Sequence, residues 1–588
     1  MSHRRNFVAA AAASLISTGF APTMAAPAQA LTVQTLRSAL PKPMQARAAG
    51  ILRTYLQLRG QTPAPDSDSE PDQDRADPLG LPVVLPQTLA SLDDALARAP
   101  TAMLATLQAA RAAFVQAEDL MHKSTADASP QFLVTVLQAM AQGQTQMDHA
   151  LDLAAATDPT GILIGLLLPA VQKVREAASR SHQGMIDLAV AGGASSGRLA
   201  PALEAMRMAD ALHAAGDYGP AVAQHANGFG LAANTVVFDM DRFEQNLRSV
   251  FDANTVGYAY ALSQAGQVQR QDGIGQARTG ADLPATAQSE TRKMHVASVS
   301  KTMTAIPMLR LLADLGLSPD TAIGPYLPAA WARGDGVNSM TFRQLFTHRS
   351  GFGQNAVGGS DYANLQIMVA QGVPSKGSFD YFNANFALMR VLIANLLGAD
   401  AFQGLVADMG AFTTAIFLNY ATSRYNAVGV PFSCEPSASN PTLQYQFPDT
   451  GNPGYVEPSR SLQCGGYGVM ISAQNLARTM AYLRYTQDLM SAASFEQMKA
   501  GSLGFMDPAR YGSAQGVFGV YPSHGGDWDH SGGSGNGGLD ACVMMFPINV
   551  EAALVINSSR KVSGVGYPNG SSQCGVLKWA FENAWIAN

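Results

Sequence analysis

The chain has 588 residues, 47% of them hydrophobic and 14% charged, with 38 basic and 44 acidic side chains giving a net charge of −6. That length allows two to four domains, and the apolar fraction excludes a disordered chain. The acidic balance excludes a chain-wide nucleic-acid footprint, and four cysteines with no CxxC pair exclude both a disulfide-built scaffold and a zinc-ribbon reading.

Residues 1–30 have the pattern of an export signal. Arg4 and Arg5 open it, Phe7 to Phe20 is an apolar Ala-rich stretch, and Ala28-Gln29-Ala30 fits an A-x-A cleavage site. Arg4-Arg5-Asn6-Phe7-Val8 resembles the twin-arginine motif, which moves folded proteins. The apolar stretch is short for a membrane span and no Cys lies near the cleavage point. The expectation is a periplasmic or secreted protein with no transmembrane anchor after cleavage. Residues 31–85 read as a short helix followed by an acidic, Pro-rich tether. Asp66, Asp68, Glu70, Asp72, Asp74 and Asp77 face only Arg75, and prolines 63, 65, 71 and 78 break any regular structure.

Residues 86–235 are Ala-rich with helical periodicity. Met103, Leu107, Ala110, Phe114, Ala117 and Met121 recur in steps of three and four, as do Leu133, Leu137, Met140, Met147 and Leu151 with Gln144 in the remaining slot. One apolar face per helix predicts an all-α bundle domain. Ile162 to Val171 is too short to cross a bilayer and carries Pro169, so it reads as a buried helix. Gly193-Ala194-Ser195-Ser196-Gly197 fits the G-x-S-x-G nucleophile elbow, but no strand precedes it, and it reads as an inter-helix loop.

Residues 236–588 change in texture. Val256 to Gln264 and Val268 to Gln271 are strand-like runs joined by Ala265-Gly266, and Ala541 to Phe546 with Val550 to Ile556 form a second hairpin. A final helix is expected to carry Trp579, Phe581 and Trp585. Strands at both ends of a domain with helical and loop-rich sequence between them predict an α+β fold whose antiparallel sheet brings the two ends together.

Between those strands lies Ala297-Ser298-Val299-Ser300-Lys301. The S-x-x-K spacing puts Ser298 and Lys301 one helical turn apart on one face. A neutral Lys there can take the Ser proton, provided that burial or nearby cations lower its pKa from about 10.4. The triplet alone is weak evidence, since Ser558-Ser559-Arg560-Lys561 has it too.

The context is stronger. Ala297 to Lys301 matches an A-S-x-S-K signature, and Leu345-Phe346-Thr347-His348-Arg349-Ser350-Gly351-Phe352 matches L-L-T-H-x-S-G-L. Tyr381-Phe382-Asn383 followed by Ala384 to Leu388 fits Y-x-N with its N-Y-A-L continuation, which Tyr362-Ala363-Asn364 lacks. Cys464-Gly465-Gly466-Tyr467 with Ser472 to Leu476, and then His530-Ser531-Gly532, complete five landmarks in order. Together they resemble the serine β-lactamase and penicillin-binding-protein superfamily, in its class C β-lactamase-like serine hydrolases.

The resemblance implies an antiparallel sheet flanked by helices with a helical subdomain, and it implies acyl transfer. Ser298 would be the nucleophile and Lys301 its general base, with Tyr381 shuttling protons and Asn383 positioning Lys301 and substrate. The oxyanion would rest on the backbone N–H groups of Ser298 and Gly533. His530, Ser531 and Gly532 would line the pocket opposite the nucleophile. His530 stands where the penicillin-recognising branch has the Lys of K-T-G, which argues against efficient β-lactam or DD-peptidase turnover and towards an esterase or D-aminopeptidase-like hydrolase. A β-lactamase or DD-peptidase is the narrower alternative, and a non-catalytic binding module the broader one. The chemistry needs no metal and no cofactor. His524 to His530 only superficially matches a zinc motif, because Gly525 and Asp527 stand in two ligand positions. Gly533 to Gly538 is a formal G-x-G-x-x-G followed by a strand, so it offers no phosphate cradle.

Cys434, Cys464, Cys542 and Cys574 all lie in this half. Two disulfides have three possible pairings; 434–464 and 542–574 close the shortest loops, and four buried thiols are the alternative. The expected partner is a small ester, amide or peptide, including cell-wall fragments, with no nucleic acid. The helical domain is a candidate for docking a protein partner.

Overall fold

The computed structural model of the chain describes residues 38, 42–64, 76–123, 130–157, 161–355, 359–530, 537–559 and 566–588. The expected export signal, most of the acidic segment read as a tether and Ser531, Gly532 and Gly533 lie outside the described residues. Among the described residues no helix is long and apolar enough to cross a membrane.

Five long strands, each antiparallel to its neighbours, form the centre of a sheet that a short parallel pair at its edge makes mixed: β1 (Gly257–Gln264), β2 (Gln267–Arg278), β3 (Ser523–His530), β4 (Gly537–Phe546) and β5 (Val550–Ile556). Their order is β3-β4-β5-β1-β2. Pairing of β5 with β1, Val550 opposite Gln264 and Ile556 opposite Tyr258, joins the last hairpin to the first. The fold is α+β.

The period-2 alternation of these strands feeds two cores. Ala259 and Ala261 of β1, Ala541 and Val543 of β4 and Val555 of β5 point into one. Tyr258, Tyr260, Cys542, Met544 and Leu554 point into the other. Strands β1, β4 and β5 are therefore buried on both faces and read as largely apolar runs for that reason, whereas the outer strand β2 is mostly exposed and polar.

The first core contains helix α9 (Ser300–Asp314), α10 (Ala384–Leu396) and α11 (Met409–Asn426). Helix α1 (Ala48–Leu58) docks on it from the N-terminus, with Tyr55 edge-on to Phe412 at 5.6 Å and the amide of Asn419 donating to Thr54 Oγ1. The second core is shared between the sheet and the N-terminal helices: α2 (Leu81–Leu96), α3 (Thr101–Lys123), α4 (Phe132–Thr157), α5 (Ile162–Ala191), α6 (Ser196–Ala215) and α7 (Tyr218–Ala233). Helix α8 (Met240–Phe251) also belongs to this core, capped by Asp239, whose carboxylate accepts the Arg242 N–H.

The periodic positions Met103 to Met121 are all buried, as are Leu133, Leu137, Met140 and Met147. Gln144, in the polar slot, is equally buried and donates to Asp148 at 2.8 Å. The bundle begins at Leu81, five residues before the expected boundary, because α2 continues through Pro86. Ile162 to Val171 opens the 30-residue α5, and Ser195 is the N-cap of α6. Trp585 departs from expectation. Helix α13 (Gln573–Glu582; α12 is Ala473–Tyr485) ends at its cap Asn583, and Trp585–Ala587 is a strand paired with Val236–Phe238.

Candidate active site

Ser298 sits in a single 3₁₀ turn, Ala297–Val299, that leads directly into α9. Ala297 has φ of +41°, a left-handed conformation that a side chain disfavours and that marks a turn held by its surroundings. Helical continuation then places Lys301 one turn beyond Ser298, and its Nζ lies 2.9 Å from Ser298 Oγ. Lys301 is fully buried.

Two further acceptors hold the same nitrogen: Asn383 Oδ1 at 2.6 Å and the carbonyl of Gly466 at 2.8 Å. In the neutral amine these two take the N–H groups, which leaves the lone pair directed at Ser298 Oγ. Gly466 reaches Lys301 only because it lacks a side chain, since a Cβ there would stand 2.5 Å from the carbonyl oxygen of Asn383. The disulfide Cys434–Cys464 anchors the strand of chain entering this turn, and Cys542–Cys574 joins β4 to α13. Buried hydroxyls of α9 fix the turn further: Thr304 donates to the Gly465 carbonyl, and Ser300 accepts the Val469 N–H.

Tyr381 approaches from the other side, its hydroxyl donating to Ser298 Oγ at 2.8 Å, with Lys301 Nζ 4.7 Å from its ring centroid. Tyr362, the alternative Y-x-N residue, is engaged elsewhere, accepting from the Trp331 indole.

His348, to which the sequence assigned no role, stacks on Tyr381 at 4.2 Å between centroids. Its Nδ1 accepts the Phe382 N–H, and Asn385, itself bonded by Ser350, packs against the same nitrogen. Burial, then the charge of Lys301, holds His348 well below its ordinary pKa, so it is a neutral support for Tyr381.

The strand facing Ser298 is β3, and here the structure differs from expectation. The residue against the nucleophile is Gly526: a Cβ on it would stand 2.8 Å from Ser298 N and 2.5 Å from the Val296 carbonyl oxygen. His524, two residues earlier on the same face, lines a cavity of about 170 Å³ with His348, Tyr381, Phe379 and Tyr511. Burial, then Lys301, drops its pKa to about 3. His530 lies four residues beyond Gly526, about 13 Å along an extended strand. It stacks on Tyr455 at 3.5 Å, with its Nε2 3.9 Å from Glu457, and takes no part in that cavity. Within β3 and the turn after it the H-x-G sequence occurs twice, as His524-Gly525-Gly526 and as His530-Ser531-Gly532, and the first copy is the one beside Ser298. The reason is register: Gly526 opposes Ala541 in the β3–β4 ladder, and the intervening residues extend the hairpin beyond the site.

Arg349 is the cation of the cavity wall and is paired with Asp507 at 3.3 Å. Among the described residues no cluster of three His, Cys, Asp or Glu side chains could hold a metal ion.

Solved structures similar to the chain include a β-lactamase/D-alanine carboxypeptidase from Pseudomonas syringae, at 15% identity and a TM-score of 0.40, covering 58% of this chain and 97% of that one. EstCE1, a hydrolase with promiscuous acyltransferase activity, matches equally far at 15% identity and a TM-score of 0.41. An octameric penicillin-binding protein homologue from Pyrococcus abyssi matches at 16% identity and a TM-score of 0.37, over 54% of this chain and 72% of that one. No curated protein matches the chain. The Beta-lactamase family matches residues 240–569, more than half of the chain and all of the elements that carry Ser298, Lys301, Tyr381 and Gly526, and the chain belongs to that family.

Proposed function

We propose that the chain is an exported serine hydrolase that cleaves an ester or amide through an acyl intermediate on Ser298. The convergence of Lys301 Nζ and Tyr381 OH on Ser298 Oγ, at 2.9 and 2.8 Å, carries the reading. Lys301 takes the Ser298 proton as Oγ attacks the carbonyl. The Ser298 N–H and the free edge of β3 beside Gly526 receive the oxyanion. Tyr381 passes a proton to the leaving group and then helps activate water.

The cavity beside Tyr381 supports an uncharged, partly aromatic substrate group. Its histidines are neutral, and its cation Arg349 is already paired. Among the described residues no lysine lines this cavity to meet a penicillin carboxylate, which favours simple esters and amides over β-lactams. The two disulfides support an oxidising compartment.

Fluorophosphonate labelling with peptide mapping tests the proposal, run beside Ser298→Ala and a panel of p-nitrophenyl esters, D-amino-acid amides and nitrocefin. The expected result is an adduct on Ser298 and ester turnover that the variant lacks. An unlabelled Ser298 in folded protein, with no turnover on the panel, would overturn it.

A further inference from the structure

Behind the nucleophile turn lies a buried group of charges that acyl transfer does not use. Glu457 is almost fully buried and accepts from Arg460 Nε at 2.5 Å and from the Gln444 amide. The Arg460 guanidinium lies against the rings of Trp528 and Tyr467, 5.1 and 5.8 Å from their centroids. His295, three residues before Ser298, is buried beside them with its Nδ1 3.5 Å from Glu457 Oε2. His530 faces the same carboxylate from β3. These are the charged and titratable groups around His295, with the Trp528 and Tyr467 rings edge-on to it.

The other ring nitrogen decides the chemistry. His295 Nε2 accepts the backbone N–H of Gly468 at 3.0 Å. A nitrogen that accepts an N–H bond carries no proton, so in the neutral ring the proton is on Nδ1, on the side of Glu457 Oε2 but at 3.5 Å from it, longer than a formed hydrogen bond. Gly468 ends the turn Gly465-Gly466-Tyr467-Gly468, closed by the Gly465 N–H bonding to the Tyr467 carbonyl. The Gly466 carbonyl of that turn is one of the two acceptors that aim Lys301.

We propose that Glu457 and His295 form a positioning dyad: the carboxylate fixes the Nδ1–H tautomer of His295, and the free Nε2 holds the Gly468 amide so that the Gly466 carbonyl stays on Lys301. Protonating Nε2 would set a donor against the Gly468 N–H and release the turn. Burial favours the neutral ring and Glu457 opposes it, the net effect being a lowered pKa. The dyad thus adds an acid limit to activity below the ordinary histidine range, separate from the groups that touch substrate. It rests on the reading of Lys301 as the base for Ser298.

Two measurements on the full chain test it. Histidine-selective ¹⁵N NMR, with His295→Gln as assignment, is expected to show His295 as the neutral Nδ1–H tautomer at pH values where a free histidine, with its pKa near about 6.5, is already protonated. An Nε2–H tautomer, or ordinary titration near 6.5, overturns the dyad. The rate of fluorophosphonate labelling at Ser298 across pH reads the coupling to Lys301. His295→Gln, whose amide oxygen can accept the Gly468 N–H, should stay within about threefold of the parent and lose part of the acid limb, while His295→Leu slows labelling about tenfold or more. Equal loss in both variants, no loss in His295→Leu, or an unchanged acid limb in His295→Gln overturns the positioning role. A parent chain whose Ser298 never labels overturns the catalytic reading instead, and the NMR result still decides the dyad.

Discussion

Asn383 Oδ1 lies 2.6 Å from Lys301 Nζ, closer than Ser298 Oγ at 2.9 Å. The amine is thus held by its supports more tightly than by the hydroxyl it would deprotonate. Asn383→Ala removes one of the two acceptors that aim the lone pair and leaves Lys301 buried with a vacant donor direction. The expected result is a fall in kcat of about 10²-fold with little change in KM, measured on a p-nitrophenyl ester.

Tyr381→Phe deletes one hydroxyl and keeps the ring that stacks on His348. Stability should hold within about 0.5 kcal/mol by thermal melting, because the hydroxyl lies at a cavity rather than in a packed core. Acylation and deacylation should both slow, by about 10²- to 10⁴-fold. Ester turnover unchanged within experimental error would remove Tyr381 from the proton path.

The two H-x-G copies make opposite predictions. Gly526→Ala drives a methyl group against Ser298 N and the Val296 carbonyl oxygen, both backbone, so the nucleophile turn must move. Loss of Ser298 labelling is expected, together with destabilisation of about 1–3 kcal/mol from overpacking. His524→Ala opens the cavity wall beside Tyr381 and should alter the preference among ester acyl groups, read as changed kcat/KM ratios across the panel. Were Gly532→Ala to abolish labelling while Gly526→Ala did not, the placement of β3 beside Ser298 would be wrong.

Acid should destabilise the folded chain through its buried histidines. Burial holds His182 near a pKa of about 4 and His225 near about 3, their Nδ1 atoms 3.3 Å apart, while His524 sits at about 3. Unfolded, each titrates near 6.5. The unfolded state therefore binds more protons below that value, and stability, full above about pH 7, falls as pH drops from about 6.5 towards 4. Each such ring contributes at most about 1.4 kcal/mol per pH unit in that window. Melting temperature measured between pH 8 and 5 checks the sign, and His225→Asn should flatten the slope.

Reduction should separate the two disulfides by their effects. Each closes a loop of about 30 residues and is worth about 3–4 kcal/mol in the chain-entropy account. Cys464 directly precedes Gly465 and Gly466, so Cys434→Ser should cost kcat as well as stability. Cys542→Ser, whose bridge ties β4 to α13 across the other core, should cost stability alone, measured by melting and by ester kinetics.

How much of this was legible differs by element. Ser298 and Lys301 could be read because helix geometry fixes what three residues of separation mean. Tyr381 could be preferred to Tyr362 because its Asn383 continues into N-F-A-L. The pocket strand could not be placed, because two H-x-G copies six residues apart fit the motif and only the pairing of Gly526 with Ala541 chooses between them. His348 stood inside a quoted motif, and its role depends on a stacking partner 33 residues later. The bundle was readable from its periodicity, but its shared core with the sheet was not drawn from it. The signal was present in β1, where Tyr258, Tyr260 and Leu262 alternate with Ala259 and Ala261, large enough on both sides to require cover. Trp585 was misplaced because an apolar residue three positions past the last helical residue, Glu582, continues the helical pattern by eye.

The β5–β1 pairing brings Ile556 beside Tyr258, nearly 300 residues earlier in the chain. Synthesis runs from the N-terminus, so α2 to α8, β1 and β2 leave the ribosome long before their partner strands exist. Until the last 40 residues or so are made, the tyrosine face of β1 and the apolar stripe of the bundle have only each other to cover them, and the inner edge of β1 is open to any passing strand. Strand edges of this kind are where misassembly starts. Late closure of the sheet makes the C-terminal hairpin the step that commits the chain, and truncations there should yield aggregated product rather than a partly active enzyme.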